Sequence, residues 1–225
     1  MRHLKYPGRS LWVRALNLMV RLAPVHSKYY LNSILLRKSL TGLSAVPASS
    51  EYQFVWAGPE DVRFIMAHSE ALQDHVYDKR VTNGDRCFCV KQGSEIVSYN
   101  WIRFTSCCAL CGFDRGLTFF PLQSDQAFTY DFYTYSKYRG KHIGRLLKMH
   151  LLHALNEIGI NEVYTLVRPD NEISMKIQLR LGYEPVQMIF GYQILKCKKV
   201  LYGSARDNQR MNQWTQRFMA ERGFG

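Results

Sequence analysis

The chain has 225 residues and a mass of 26.3 kDa, with 47% hydrophobic and 13% aromatic residues, enough for a packed core and against wholesale disorder. With 15 Gly, 7 Pro and 6 Cys and no repeating period, collagenous and disulfide-framework classes are excluded. No run reaches the ~18 uncharged apolar residues of a membrane-spanning helix. The 30 Lys and Arg exceed the 18 Asp and Glu by 12, and eight of the surplus charges lie in residues 1–50, which hold no acidic residue.

That imbalance reads as a basic arm, residues 1–48, on a nearly balanced body. In Leu11–Leu22 the polar Arg14, Asn17 and Arg21 share one helical face, Ser10 is placed to cap the helix, and Pro24 stops it. A second, weaker stretch of the same kind, Tyr29–Leu40, ends in Arg37-Lys38-Ser39. Three readings of the arm stay open: a helix packed on the body, a helix lying in a membrane interface, and an organelle transit peptide. A secretory signal is not expected, because Arg14 and Arg21 break its apolar run. The chain is therefore expected in the cytoplasm, with membrane attachment or organelle targeting through the arm left open.

Ser44–Ser50 reads as a linker, and a body spanning 49–200 follows. Strands are expected over Tyr52–Trp56, Arg86–Lys91, Glu95–Phe104, Ala127–Tyr135, Glu162–Val167 and within Tyr183–Leu195. Helices are expected over Glu60–Leu72, after Gly144 up to Gly159, and over Asn171–Leu181. Gln92-Gly93-Ser94 reads as a hairpin turn, and 105–126 as an irregular insert. From 201 onward the tail reads as a capped helix with Met211, Trp214, Phe218 and Met219 on one face.

The cysteines are Cys87, Cys89, Cys107, Cys108, Cys111 and Cys197, read as reduced thiols. Cys87, Cys89 and the 107–111 cluster could supply four zinc ligands. Alternation of Cys87 and Cys89 along a strand instead makes them core residues, and no metal is expected.

The passage Tyr138-Arg139-Gly140-Lys141-His142-Ile143-Gly144-Arg145-Leu146-Leu147 joins a strand to a helix through a turn with two glycines. Such a turn gathers unpaired N–H groups at the positive end of a helix dipole, a site suited to phosphate. The alternative is an ordinary tight turn. A P-loop would need Lys-Ser/Thr after the second glycine, and a dinucleotide fingerprint would need a third glycine, so neither spacing fits.

These residues resemble the acyl-CoA-binding motif of the GNAT acetyltransferase superfamily, Arg/Gln-x-x-Gly-x-Gly/Ala. Arg139 and Gly144 match its ends, while His142 stands where the family has glycine. Asn171-Glu172-Ile173-Ser174 through Leu181-Gly182-Tyr183 resembles the family's later helix-plus-strand motif. The resemblance covers roughly 51–196. It implies an α/β fold with a mixed, mostly antiparallel twisted sheet flanked by helices, and a phosphate-binding turn between the fourth strand and the next helix.

It also implies an acyltransferase that moves an acetyl group from acetyl-CoA, its co-substrate, to a primary amine. The strand residues Phe132, Tyr133 and Thr134 would pair with the pantetheine arm and polarise the thioester. N–H groups of Arg139, Gly140, Lys141, His142, Ile143 and Gly144 would hold the pyrophosphate, with Arg139 and Lys141 adding charge. Asn171 and Ser174 would complete the donor site. Many members have a tyrosine at the position of Gln178 to protonate the thiolate, so Tyr183 is the substitute candidate here. Asp131 is the leading base candidate, grouped by strand alternation with Tyr133 and Tyr135; the alternative is an Asp satisfied by a neighbouring basic residue. Glu162 is a weaker candidate. Tyr130, Tyr133, Tyr135 and Trp101 either line an acceptor pocket or pack the core.

The acceptor is expected to be an amine-bearing small molecule or peptide. The basic arm adds a second reading, a longer acyl-CoA or acyl-carrier-protein donor used at a membrane surface. Gln178 and His142 add a third, a silent CoA- or lipid-binding module. Nucleic acid is the least expected partner, because the arm has no recognisable docking motif.

Overall fold

The computed structural model describes residues 29–47, 49–68, 79–105, 121–194 and 197–223. They fall into two compact units, one formed by 39–105 and 121–164, the other by 29–38 and 165–223. The amphipathic stretch 11–22, and with it all three readings of the arm, lies outside the described residues.

The first unit is built on a sheet. Its strands are β2 (Gln53–Trp56), β3 (Arg86–Gln92), β4 (Glu95–Arg103), β5 (Gln126–Thr134) and the start of β6 (Glu162–Val167), in that spatial order. β2 to β5 pair antiparallel. The β3–β4 hairpin closes at Gln92↔Glu95, leaving a two-residue loop in which Gly93 sits at φ +60. A positive φ at the first loop position suits the right-handed strand twist, and glycine supplies it without strain.

Two helices belong to this unit, α1 (Pro59–His68) and α2 (Ile143–Glu157), and both contact β4. β4 is accordingly buried on both faces, with Ile96, Val97, Trp101 and Ile102 at 1% exposure or less. α2 turns Ile143, Leu147, Leu151 and Leu155 inward at helical spacing. Each such side chain contributes about 1.5–3 kcal/mol on burial. The helix ends at Gly159, whose φ of +87 lets the N–H groups of Ile158, Gly159 and Ile160 turn back onto the carbonyls of Leu155 and Asn156.

In the second unit β1 (Tyr29–Ser39) pairs antiparallel with β7 (Glu184–Ile194), and β7 pairs with β8 (Cys197–Tyr202). The expectation that 29–40 continues a helical arm is corrected here: it is a sheet strand. The reason lies in Ile34, Leu35 and Leu36, three consecutive residues with exposures of 0–2%. A strand covered on both faces tolerates such a run, and Tyr29, Tyr30 and Ile34 favour extended backbone. This strand also shifts the count, so the turn singled out from sequence follows β5, not a fourth strand.

α3 (Glu172–Arg180) and α4 (Ala205–Glu221) complete the second unit. α4 packs on β7 through Met211, Trp214, Thr215 and Phe218, while Met219 lies at the margin of that face. It begins in a capping box: Ser204 Oγ accepts from Asp207 N–H at 3.3 Å and Asp207 Oδ2 accepts from Ser204 N–H at 3.0 Å. Gly203, just before it, has no room for a side chain, since a Cβ there would lie 2.6 Å from Met188 Cβ. Among the described residues no helix is long and apolar enough to cross a membrane.

Candidate active site

The end of β5 passes into α2 through a short 3₁₀ turn, Ser136–Tyr138. Tyr138 N–H donates to the Tyr135 carbonyl at 2.9 Å, and Arg139 N–H donates to the Ser136 carbonyl at 3.2 Å. Gly140 and His142 then take left-handed backbone, at φ +81 and +59. His142 occupies the N-cap of α2 but contributes no side-chain cap, and its carbonyl receives the N–H groups of Arg145 and Leu146. The N–H groups of Gly140, Lys141, His142, Ile143 and Gly144 find no acceptor among the described residues. Residues 139–142 are exposed, and a Cβ built on Gly140 would meet nothing within 4 Å. Five N–H donors without a partner within one turn of a helix start, the first three on exposed residues, fit the diphosphate of a CoA donor. The donor run begins at Gly140, not at Arg139, whose N–H is already used.

Gly144 serves a second purpose besides lending its N–H to that run. A Cβ there would lie 2.6 Å from Phe132 Cζ and 3.2 Å from Thr134 Oγ1. Its missing side chain lets the first turn of α2 press against β5. Phe132 and Thr134 therefore sit directly behind the cradle, and Thr134 Oγ1 also lies 2.9 Å from Ser98 Oγ. Arg139 folds back the same way: its Nε donates to the Thr134 carbonyl at 3.0 Å and its guanidinium lies 5.4 Å from the Tyr133 ring centre. Below the turn, Lys137 and the Tyr138 hydroxyl both bond Glu95, and these two bonds, Lys137 first, hold its carboxyl below the usual range.

On the face of β4 and β5 turned toward α1, Tyr99, Tyr133 and Tyr135 form an aromatic cluster with ring centres 5.3–6.2 Å apart. Tyr130 belongs to the same face, because the β4–β5 register shifts between Tyr99 and Trp101. Simple alternation, which would place Tyr130 opposite Tyr133, fails at that shift. Asp131 is ion-paired: Arg80 Nη1 lies 2.6 Å from its Oδ2. The alternative reading of this residue, an Asp satisfied by a basic neighbour, matches that contact. Beside it, Arg103 grips Asp85 through two hydrogen bonds of 2.7 and 2.5 Å, and the Tyr130 hydroxyl donates to Asp85 at 2.6 Å. Burial pushes the Tyr130 hydroxyl pKa up.

The opposite face holds Lys148, 1% exposed. Its ammonium lies 3.4 Å from Thr129 Oγ1 and 5.2 Å from the Phe132 ring centre. Burial pushes its pKa down to about 7. Cys87 and Cys89 are buried free thiols whose pKa values burial drives upward, that of Cys89 to about 12. Neither is a thiolate at neutral pH. Cys107, Cys108 and Cys111 lie outside the described residues; among the described ones no three His, Cys, Asp or Glu are grouped to hold a metal ion.

Of the remaining expected site residues, Asn171, Ser174 and Tyr183 belong to the second unit. Asn171 is the N-cap of α3, its Oδ1 accepting the Ser174 N–H at 3.1 Å, which leaves the amide nitrogen to donate elsewhere. Gln178 is 1% exposed and its Oε1 has no hydrogen-bond partner among the described residues. Tyr183 is 2% exposed and donates its N–H to the Gln178 carbonyl. Glu162, in the first unit, is engaged by Gln126 at 2.9 Å and by the Tyr164 hydroxyl at 2.8 Å. Sequence reasoning missed Arg80, which lies 51 residues from its partner with no local pattern to announce it. Lys148 was findable: it falls on the apolar stripe of α2, between Leu147 and Leu151.

Comparison with known proteins bears on the family and the fold. Residues 53–183, more than half of the chain, match the Acetyltransferase (GNAT) family. No curated protein matches the sequence. Among solved structures, a glucosamine N-acetyltransferase region of a fungal multi-domain β-N-acetylglucosaminidase aligns with a TM-score of 0.57 at 13% identity, over 84% of this chain and 24% of that one. A GNAT-family acetyltransferase from Colwellia psychrerythraea aligns at 0.53 and 16% identity, over 82% and 62%. An N-acetyltransferase from Sphaerobacter thermophilus aligns at 0.54 and 11% identity, over 78% and 54%. The chain thus spans less than two thirds of each of these three, and likeness at such identity shows the fold alone.

Proposed function

Because the chain belongs to the GNAT acetyltransferase family, we propose that it transfers an acetyl group from acetyl-CoA to a primary amine. The observation that carries this reading is the open N-terminus of α2, where five N–H donors stand unpaired beside Phe132 and Thr134 of β5. In this reading the donor's diphosphate takes those N–H groups, with the Lys141 ammonium adding charge at the exposed rim. The backbone of β5 orients the pantetheine and polarises the thioester carbonyl. A neutral amine attacks that carbonyl, the C–N bond forms, the C–S bond breaks, and the thiolate and ammonium exchange a proton through solvent or a side chain. The acceptor approaches on the face carrying Tyr99, Tyr133 and Tyr135.

One observation favours a second reading, a CoA-binding module without turnover: Gln178, in the place of the family's acidic tyrosine, has no proton acidic enough to transfer to a thiolate.

Calorimetric titration of acetyl-CoA at ~0.15 M salt, where long-range attraction to a basic chain is screened, tests the site. The wild type should bind saturably at 1:1. Gly144→Glu should abolish binding. Since its Cβ alone would strike Phe132, Lys141→Glu, at an exposed position, serves as the variant that keeps its fold, and it should weaken binding about tenfold. Equal, weak binding by all three proteins refutes the acetyl-CoA site. A panel of amines with thiol detection then separates the enzyme from the silent module.

A further inference from the structure

β5 is not a regular strand. Trp101 pairs with Tyr130 and Tyr99 pairs with Tyr133, so Asp131 and Phe132 together oppose Asn100. Two residues against one is a β-bulge. Asp131 carries its distortion, at φ +47. Left-handed backbone is unfavourable for any residue with a Cβ, and least so for Asp and Asn.

The conformation is held from two sides. Asn100, wholly buried, donates its Nδ2 to the Tyr130 carbonyl at 2.6 Å and to the Trp101 carbonyl at 3.1 Å. Arg80, 9% exposed, reaches Asp131 Oδ2 at 2.6 Å while its guanidinium lies 5.1 Å from the Trp101 ring centre and 4.9 Å from that of Tyr130. A guanidinium held over two rings and bonded to a carboxylate is restrained in orientation as well as position. The carboxylate is fixed with it.

The bulge has a consequence for the donor strand. Side chains and backbone groups alternate with a period of two along a strand, so one extra residue reverses the facing of everything after it. Tyr133 is thereby returned to the face of Trp101 and Tyr130, and Phe132 and Thr134 turn to α2, where the bare Gly144 receives them. The N–H and carbonyl directions of 132–134 are reversed by the same step.

We propose that Arg80 and Asp131 act as a positioning pair: the hydrogen bond from the guanidinium to the residue-131 side chain fixes the bulge and so sets which backbone groups of 132–134 are presented to the donor's thioester. This rests on the acetyl-transfer reading above. It gives Asp131 a role other than the proton acceptor expected from sequence, since Oδ2 is committed to the guanidinium.

The test compares Asp131→Asn, Asp131→Ala and Arg80→Met by amide hydrogen exchange over 130–134 and by steady-state kinetics across pH. Asn tolerates left-handed backbone as Asp does, and its Oδ1 can still accept from Arg80; Ala retains neither property. Asp131→Asn should exchange like the wild type and keep kcat within about threefold. Asp131→Ala and Arg80→Met should exchange at least about tenfold faster over 130–134. Their kcat should fall about 10–100-fold with the acetyl-CoA KM little changed, as for a misplaced reacting group. If Arg80→Met fails to fold, leaving a carboxylate without its cation, Arg80→Met/Asp131→Asn removes that charge and should exchange as fast.

Asp131→Asn as slow as Asp131→Ala, with the acidic limb of the pH profile abolished, would overturn the proposal in favour of proton transfer. Wild-type exchange in all variants would overturn it outright. If the wild type acetylates no amine, the acetyl-transfer reading fails, and the exchange comparison still decides whether the pair holds the bulge.

Discussion

The two longest helices among the described residues, α2 and α4, begin in contrasting ways. α4 starts at a closed end, where Ser204 and Asp207 satisfy each other's N–H groups and Gly203 seals the approach against Met188. α2 starts at an open one, with a histidine in left-handed backbone at the N-cap and no side chain returned to its donors. A helix start needs partners for its first N–H groups, and at α4 the chain provides them itself. At α2 it withholds them, and also buries a lysine one turn further on. Local stability is given up at that end of α2, a pattern expected of binding sites.

The largest expected effect lies in α2. Lys148 is buried with its pKa lowered from 10.5 to about 7, so between those values the unfolded chain holds a proton that the native state does not. Stability therefore rises with pH across that window; the penalty is complete below pH 7 and absent above the unfolded value. A shift of this size corresponds to a cost on the order of 5 kcal/mol at low pH. Lys148→Met should raise the urea midpoint at pH 6 and flatten its rise toward pH 10. An unchanged midpoint would mean that the ammonium finds compensation, and the contrast between the helices would lose one of its terms.

Next comes the closed end. Gly203→Ala places a Cβ against that of Met188, at 2.6 Å, and of Asp207, at 3.2 Å, and should cost about 2 kcal/mol as an overpacking defect. Ser204→Ala removes half of the capping box and should cost about 1 kcal/mol. Thermal unfolding reads both, and acetyl-CoA affinity corrected for folded fraction should stay unchanged. The smallest effect belongs to His142→Gly, which relieves left-handed strain and should stabilise by about 0.5–1 kcal/mol while leaving donor binding intact. A loss of binding there would show that the imidazole itself takes part in the cradle.

These contrasts were unequally legible in the sequence. Ser204 with Asp207, and Asn171 with Ser174, announce helix starts because capping acts over three residues. Gly140 and Gly144 announced a turn for the same reason; that Gly144 is also a packing contact with Phe132 was not legible there. Strand β1 was misread because Ile34-Leu35-Leu36 satisfies helical and buried-strand patterns alike, and only its pairing with β7 decides between them. The bulge was invisible, since an extra residue in β5 is defined only against β4. The Arg80–Asp131 pair was hidden for the same reason: long-range pairing leaves no period to read.

The β3–β4 hairpin has a further consequence. Its loop is two residues long and delivers Glu95, the first residue of β4, to Lys137 and to the Tyr138 hydroxyl. The hairpin thus works as a gauge. One residue inserted between Gly93 and Ser94 would advance the strand by about 3.3 Å or force a new bulge, and either change would pull Glu95 off the turn that leads into the cradle. Length at this tip is a dimension of the proposed donor site, some forty residues earlier in the chain than the turn it supports.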